Sequence, residues 1–90
     1  MSAENAQAQT ARNVLVVDDS RTIRSTIADH LRNKGYRVTE AGDGIEGLNL
    51  GLTSKPNVIV LDVVMPGIDG SRLCQLFRDK GLRVPVILLT

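Results

Sequence analysis

The chain has 90 residues, enough for one domain, and 42% of them are hydrophobic while only 2% are aromatic. This share excludes intrinsic disorder for most of the chain, and an aliphatic, β-branched core suits a sheet covered by helices. The net charge is +1, which gives no basic excess for binding nucleic acid or an anionic membrane. With one cysteine, no membrane-length apolar run and no apolar secretion signal, the sequence predicts a cytoplasmic protein.

Strands and helices alternate along the sequence after a polar start. Residues 1–12 are small and polar without periodicity, and we predict a disordered leader there. Strands are predicted at 13–18, 37–41, 57–62 and 84–90. Only 37–41 alternates as a half-exposed edge strand does, whereas the apolar runs of the other three segments predict buried strands. The order β-α-β-α-β-α-β predicts a parallel sheet with right-handed crossovers.

Three helices are predicted between these strands. Ser20, Asp43 and Asp69 stand where N-caps belong, and Gly35 and Gly81 follow the first and third helices. Each helix carries apolar residues at helical spacing, and we expect these to mark its inner face. They are Ile23, Ile27 and Leu31 in the first helix, Ile45, Leu48 and Leu52 in the second, and Leu73, Leu76 and Phe77 in the third.

Acidic residues end two of the predicted buried strands. Asp18 and Asp19 follow the first strand, Asp62 ends the third, and Thr90 ends the fourth. Sites in open α/β sheets form at the carboxyl ends of the strands, so neighbouring strands would bring three carboxylates together. A hard divalent cation such as Mg²⁺ would offset their repulsion and prepare Asp62 as a nucleophile towards a phosphoryl group. A single Asp after a strand is commonly only a cap, but the combination favours a site.

A glycine motif offers a competing interpretation. Gly42, Gly44 and Gly47 form G-x-G-x-x-G between a strand and a helix, and Asp62 lies 20 residues beyond Gly42. That layout is typical of a dinucleotide-binding α/β fragment. Against it, the preceding strand is polar, Asp43 would face the pyrophosphate, and the other acids would have no role. The alternative is a turn followed by close helix–sheet contact. A metal-dependent aspartyl phosphatase ranks lower, because it needs D-x-D rather than adjacent acids.

The segments V-L-V-V-D-D-S, V-I-V-L-D-V-V-M-P-G-I-D-G and V-P-V-I-L-L-T resemble the receiver domains of bacterial two-component response regulators. The resemblance implies a flavodoxin-like (CheY-like), doubly wound parallel sheet with strand order 2-1-3-4 over residues 13–90. It also implies that Asp62 accepts a phosphoryl group from a sensor histidine kinase or phosphotransfer protein, as a signalling domain rather than a turnover enzyme. The implied Mg²⁺ ligands are Asp18, Asp19, Asp62 and the backbone carbonyl of Val64. Thr90 matches the switch hydroxyl.

Two further expectations concern the loop after Asp62 and the end of the sequence. Met65, Pro66 and Gly67 are predicted to shape that loop. The family continues with a helix, a strand bearing a lysine and another helix, so we expect a truncated receiver domain whose output domain or effector lies elsewhere. Lys34, Lys55 and Lys80 lie in helix-end or loop positions and cannot replace that lysine. A pseudo-receiver acting only in protein interaction stays open, as does self-association through the edge at 84–90.

Overall fold

The computed structural model of the chain describes residues 12–89, which form a four-stranded sheet with three helices. Thr90 and all of the predicted leader except Arg12 lie outside the described residues. No helix within 12–89 has both the length and the apolar character needed to cross a membrane. The elements are β1 (Asn13–Val17), α1 (Arg21–Asn33), β2 (Arg37–Ala41), α2 (Gly44–Thr53), β3 (Val58–Asp62), α3 (Gly70–Asp79) and β4 (Val86–Leu89).

The four strands are parallel and lie in the order β2-β1-β3-β4, which confirms the predicted fold and strand order. β1 and β3 are central neighbours, and β2 is an edge strand as its alternating pattern indicates. Val17 pairs with Ala41 on one side and with Leu61 on the other, while Asp62 pairs with Leu89. The carboxyl ends of all four strands therefore meet at one edge of the sheet.

Each helix begins at the predicted cap. The cap side chain accepts a hydrogen bond from a backbone N–H in the first turn, which satisfies a donor that has no partner inside the helix. Gly35 and Gly81, just beyond α1 and α3, have φ values of 95° and 85°, where side chains are strained. The capping bonds are Ile23 N–H to Ser20 Oγ (3.3 Å), Glu46 N–H to Asp43 Oδ1 (2.8 Å) and Arg72 N–H to Asp69 Oδ1 (2.8 Å).

Apolar side chains fill both faces of the sheet. On the face covered by α2 and α3, Phe77, Leu73 and Met65 join side chains from β1 and β3 in the larger core cluster. On the face covered by α1, valines of β1 and β3 pack with Ile27 and Leu31. The central strands are thus buried on both sides, as their continuous apolar sequence predicts.

The predicted inner faces of α1 and α2 need correction. Ile23 is 51% exposed, and Ile45 and Leu52 of α2 are 67% and 40% exposed. The buried side of α2 instead carries glycines, among them Gly47 and Gly51. Because glycine has no side chain, the backbone of α2 packs directly on its neighbours. Ile45 and Leu52 turn outward, whereas Leu48 stays half-buried against the core.

The fourth strand also differs from its prediction as a buried strand over 84–90. It is described as Val86–Leu89, and its two middle residues, Ile87 and Leu88, are 52% and 43% exposed. β4 pairs with β3 on one side, and within residues 12–89 no strand pairs with its other side. β4 lies at the edge of the sheet, and this position explains why its side chains are exposed. An apolar composition alone does not bury a strand.

Candidate functional site

Three carboxylates meet at the carboxyl ends of β1 and β3. Asp18 and Asp19 directly follow β1, and Asp62 is the last residue of β3. One ligand oxygen from each of the three lies within 4.8 Å of the others. The predicted convergence follows from the sheet order, since the two strands that carry these residues are hydrogen-bonded neighbours.

Asp18 is the buried member of the group, with 3% of its surface exposed. Its backbone N–H donates to the carbonyl of Ala41 (3.1 Å), and its Oδ1 accepts from the N–H of Ser20 (2.8 Å). Burial raises the pKa of Asp18 above its ordinary value, and the nearby charges of Asp62 and Asp19 raise it further, whereas the bond from Ser20 opposes them. A buried carboxylate beside two others is a position that a cation would stabilise.

The other two carboxylates face the solvent more openly. Asp19 is exposed and Asp62 is half-buried. The Oδ1 atom of Asp62 accepts a hydrogen bond from the N–H of Val64 (3.2 Å). The site is therefore shallow, with room for waters and for an incoming group.

The loop after β3 combines one buried anchor with exposed residues. Met65 is 6% exposed and its side chain belongs to the larger core cluster, so it ties the loop to the core. Val64 is 78% exposed and Pro66 is also exposed. Gly67 has a φ of 79°, a conformation that favours glycine. The loop-shaping roles of Met65, Pro66 and Gly67 stay predictions.

The donor set suits a hard divalent cation. Each of the three aspartates offers a carboxylate oxygen, the ligand type that Mg²⁺ prefers, and the open side leaves positions for water. Cys74, a softer type of ligand, lies on α3 and is not among the grouped residues. The residues present therefore fit Mg²⁺.

The lysines lie at the wrong edge of the sheet to join this group. Lys34 and Lys80 follow α1 and α3, and Lys55 lies between α2 and β3. These connections enter the strands at their amino ends, opposite the carboxylates. This placement agrees with the prediction that none of the lysines acts at the acidic site. Thr90, the predicted switch residue, lies outside the described residues.

The glycines of the G-x-G-x-x-G motif allow neighbouring residues to pack closely against the chain. A Cβ atom at Gly44 would lie 2.8 Å from Cβ of Ile68, and one at Gly47 would lie 3.0 Å from Cγ1 of Val17. The N-terminus of α2 is already capped by Asp43, and Glu46 Oε1 accepts the N–H of Gly42 (2.8 Å). Two carboxylates stand where a pyrophosphate would bind, so the structure gives no support to the dinucleotide interpretation.

Sequence reasoning missed one residue at this site. Arg24, in the first turns of α1, donates from Nη1 to the backbone carbonyl of Asp18 (2.8 Å). Its Nε donates to Oε1 of Glu40 on β2 (3.2 Å). An arginine six residues after an acid pair carries no fixed chemical pattern, so only the fold reveals the contact.

Comparisons with known proteins agree with this geometry. Residues 14–90 match the family described as response regulator receiver domain. The response regulator MprA of Mycobacterium sp. (strain KMS) is 42% identical over 77 residues, which are 86% of this chain and 34% of that protein. MprA of Mycobacterium avium (strain 104) is 40% identical over the same shares. The chain thus spans about a third of the length of these relatives.

Solved receiver structures share the fold. The receiver domain of the Francisella response regulator 1452 superposes with a TM-score of 0.82 at 38% identity, covering 86% of this chain and 64% of that one. The Vibrio cholerae chemotaxis protein CheY4 gives 0.83 at 32% identity, covering 87% and 67%. The chain belongs to the response regulator receiver domain family.

Proposed function

We propose that this chain is the phosphoryl acceptor of a phosphorelay, with Asp62 as the residue that is modified. The observation that carries the proposal is the placement of oxygens from Asp18, Asp19 and Asp62 within 4.8 Å of one another. Membership in the receiver family supports it. The donor would be a phosphohistidine of a sensor histidine kinase or of a phosphotransfer protein.

The proposed step is a phosphoryl transfer to a carboxylate. An oxygen of Asp62 attacks the phosphorus, an O–P bond forms and the N–P bond of the donor breaks. The histidine nitrogen keeps the electron pair of that bond, and the product is an aspartyl phosphate. The half-buried position of Asp62 at the end of β3 supports this role, because an incoming group can reach its carboxylate from solvent. Apart from phosphorylating and dephosphorylating itself, the chain would not act as an enzyme.

The proposed magnesium site uses Asp18, Asp19, Asp62 and the backbone carbonyl of Val64. When bound, Mg²⁺ would offset the charge of the carboxylates and of the incoming phosphoryl oxygens. Asp18 contributes from the buried side and Asp19 from the exposed side. The N–H of Val64 already donates to Asp62, which keeps the Val64 backbone close to that carboxylate.

The proposed switch residue is Thr90, whose hydroxyl would bind a phosphoryl oxygen. Support comes from its neighbour in the chain, because Leu89 pairs with Asp62 in the sheet. The carbonyl of Leu89 also accepts the N–H of Val63 (3.1 Å). Thr90 follows Leu89 in the sequence, so it comes one residue after the position that pairs with Asp62.

The proposal extends to setting and partners. We place the function in a bacterial cytoplasm, where the single Cys74 would stay reduced, and the relatives named above are bacterial. An output domain or effector would read the modified state. The exposed edge of β4 would allow a second copy of the chain to pair there.

Labelling by a small phosphoryl donor tests the proposal. Acetyl phosphate or beryllofluoride with Mg²⁺ should modify Asp62, as detected by mass spectrometry of the phosphorylated chain and by amide chemical shifts with beryllofluoride. Asp62→Asn should abolish the modification. Asp43→Asn is the matched control, because asparagine also caps helices and the residue lies outside the site. Modification that survives Asp62→Asn would contradict the assignment.

A further inference from the structure

Arg24 connects the acidic site to the outer strand β2. Its Nη1 donates to the backbone carbonyl of Asp18 (2.8 Å) and its Nε to Oε1 of Glu40 (3.2 Å). The side chains of Arg24 and Glu40 are 16% and 26% exposed. A planar guanidinium with two directional bonds of this kind is held in one orientation.

The carbonyl that Arg24 binds belongs to the peptide group between Asp18 and Asp19. The other groups of Asp18 are held by Ala41 and Ser20, whereas Asp19 is exposed. The direction of the Asp19 carboxylate therefore depends on the plane of the peptide group that precedes it.

We infer that Arg24 is a positioning residue for Asp19. By fixing the peptide plane between Asp18 and Asp19, Arg24 holds the Asp19 carboxylate where it can share a divalent cation with Asp18 and Asp62. This inference rests on the proposed function, since it assigns Arg24 to the same metal site. Arg24 acts through the backbone and not as a ligand.

Gly42 provides the space that this arrangement needs. A Cβ atom at position 42 would lie 3.1 Å from Nη1 of Arg24 and 3.8 Å from its Cζ. The φ of Gly42 is not positive, so its backbone conformation would accept a side chain. The first glycine of the G-x-G-x-x-G motif is thus explained by the guanidinium beside it.

Arg32 supplies a matched control on the same helix. Its Nη1 contacts Oε2 of Glu40 (3.2 Å) and its Nη2 donates to the carbonyl of Val38 (3.1 Å). Arg24 and Arg32 therefore share one carboxylate partner and each binds one backbone carbonyl. Only Arg24 binds a carbonyl at the acidic site, so the two arginines separate positioning from general stabilisation of β2.

The test is a Mg²⁺ titration of the intact chain followed by ¹⁵N amide shifts. Arg24→Met should weaken Mg²⁺ binding roughly 10-fold, a usual effect of removing a group that orients a metal ligand. Arg24→Lys should weaken Mg²⁺ binding to the same extent, because one ammonium group cannot reproduce both contacts of the guanidinium. Gly42→Ala should give a smaller loss, and Arg32→Met should change the Kd by less than about twofold.

A second readout needs no metal. In Mg²⁺-free samples, Arg24→Met should shift the carbonyl ¹³C resonance of Asp18 and the ¹⁵N resonance of Asp19, and Arg32→Met should leave both unchanged. Unchanged resonances, or equal weakening in the two arginine variants, would overturn the role of Arg24. If the unmodified chain bound no Mg²⁺, the proposed function and this inference would fail together. Normal Mg²⁺ binding by both the unmodified chain and Arg24→Met would remove the inference alone.

Discussion

Gly70, the first residue of α3, packs against the main chain of Asp62, the last residue of β3. A Cβ atom at position 70 would lie 2.7 Å from Cα of Val63 and 2.9 Å from the carbonyl carbon of Asp62, and closer still to the Asp62 oxygen. The N–H of Gly70 donates to the carbonyl of Val63 (2.8 Å). The start of α3 and the end of the acceptor strand therefore form one rigid contact.

We expect Gly70→Ala to destabilise the protein by about 1–3 kcal/mol, the usual cost of forcing extra atoms into a packed site. Helix propensity alone predicts the opposite sign, because alanine is the better helix former. Urea unfolding decides between these effects. Ser71→Ala, one residue later and exposed, is the control and should change the free energy of unfolding by less than about 0.5 kcal/mol. A stabilised Gly70→Ala variant would contradict the packing argument.

Titration with Mg²⁺ should shift amide resonances in two short segments. We expect the changes at residues 18–20 and 62–65, because these carry the proposed ligands and their neighbours. Residues 42–47 are the internal control, since capping carboxylates occupy the start of α2. Changes confined to 42–47, or seen only with NAD, would favour a nucleotide site instead. The measurement is a ¹⁵N–¹H correlation spectrum at each Mg²⁺ concentration.

Asp18→Asn should stabilise the metal-free protein at pH 7 by about 0.5–2 kcal/mol. Burial, followed by the charges of Asp62 and Asp19, raises the pKa of Asp18 in the folded state. The folded protein then binds more protons than the unfolded one between the two pKa values, so stability falls as pH rises through that window. The gain in unfolding free energy from Asp18→Asn should therefore be complete at pH values above the pKa of Asp18 in the folded protein. It should vanish at pH values below the ordinary pKa of an aspartate.

Thermal unfolding against pH measures this advantage. Asp79→Asn, at the end of α3, is the control and should show no comparable gain. Saturating Mg²⁺ should reverse the order, because a cation that binds only the folded state stabilises the unmodified protein more. Equal unfolding temperatures for Asp18→Asn and the unmodified protein at every pH would contradict the explanation.

The exposed edge of β4 should make the 90-residue chain self-associate. Ile87 and Leu88 are 52% and 43% exposed on a strand with one pairing partner within residues 12–89. Sedimentation at micromolar concentration should detect dimers or larger species, and Ile87→Lys should weaken them because an edge lysine blocks strand pairing. Ile45→Lys is the control, because it removes an equally apolar, exposed side chain from α2. This variant should self-associate as the unmodified chain does. A monomer with slow amide exchange throughout 86–89 would exclude pairing at this edge.

The helix caps could be predicted because local chemistry determines them. Ser20, Asp43 and Asp69 each offer a side-chain oxygen to the first turn of a helix, and the structure confirms all three. The strand order could be assigned only through the resemblance to a known family. The meeting of Asp18 with Asp62 then follows, since both lie at the ends of neighbouring strands.

The remaining features depend on distances that sequence patterns do not encode. Hydrophobic periodicity predicted Ile45 on an inner face of α2, but the glycines bring that helix so close that its glycine side is buried. The sequence predicts that Met65 shapes a loop, and in the structure its side chain also lies in the core. The bond from Arg24 to Asp18 joins two residues through the fold, and no spacing rule selects it.

The pairing of Val17 with Leu61 has a consequence for how such a protein can diversify. Neighbouring strands lie about 4.8 Å apart whatever side chains they carry, so backbone pairing alone keeps the two groups of acids at a fixed separation. The outer faces of the helices take no part in setting that separation. Surfaces that choose a partner can therefore change by mutation while the chemistry at the strand ends stays the same, which lets one scaffold serve many separate signalling routes.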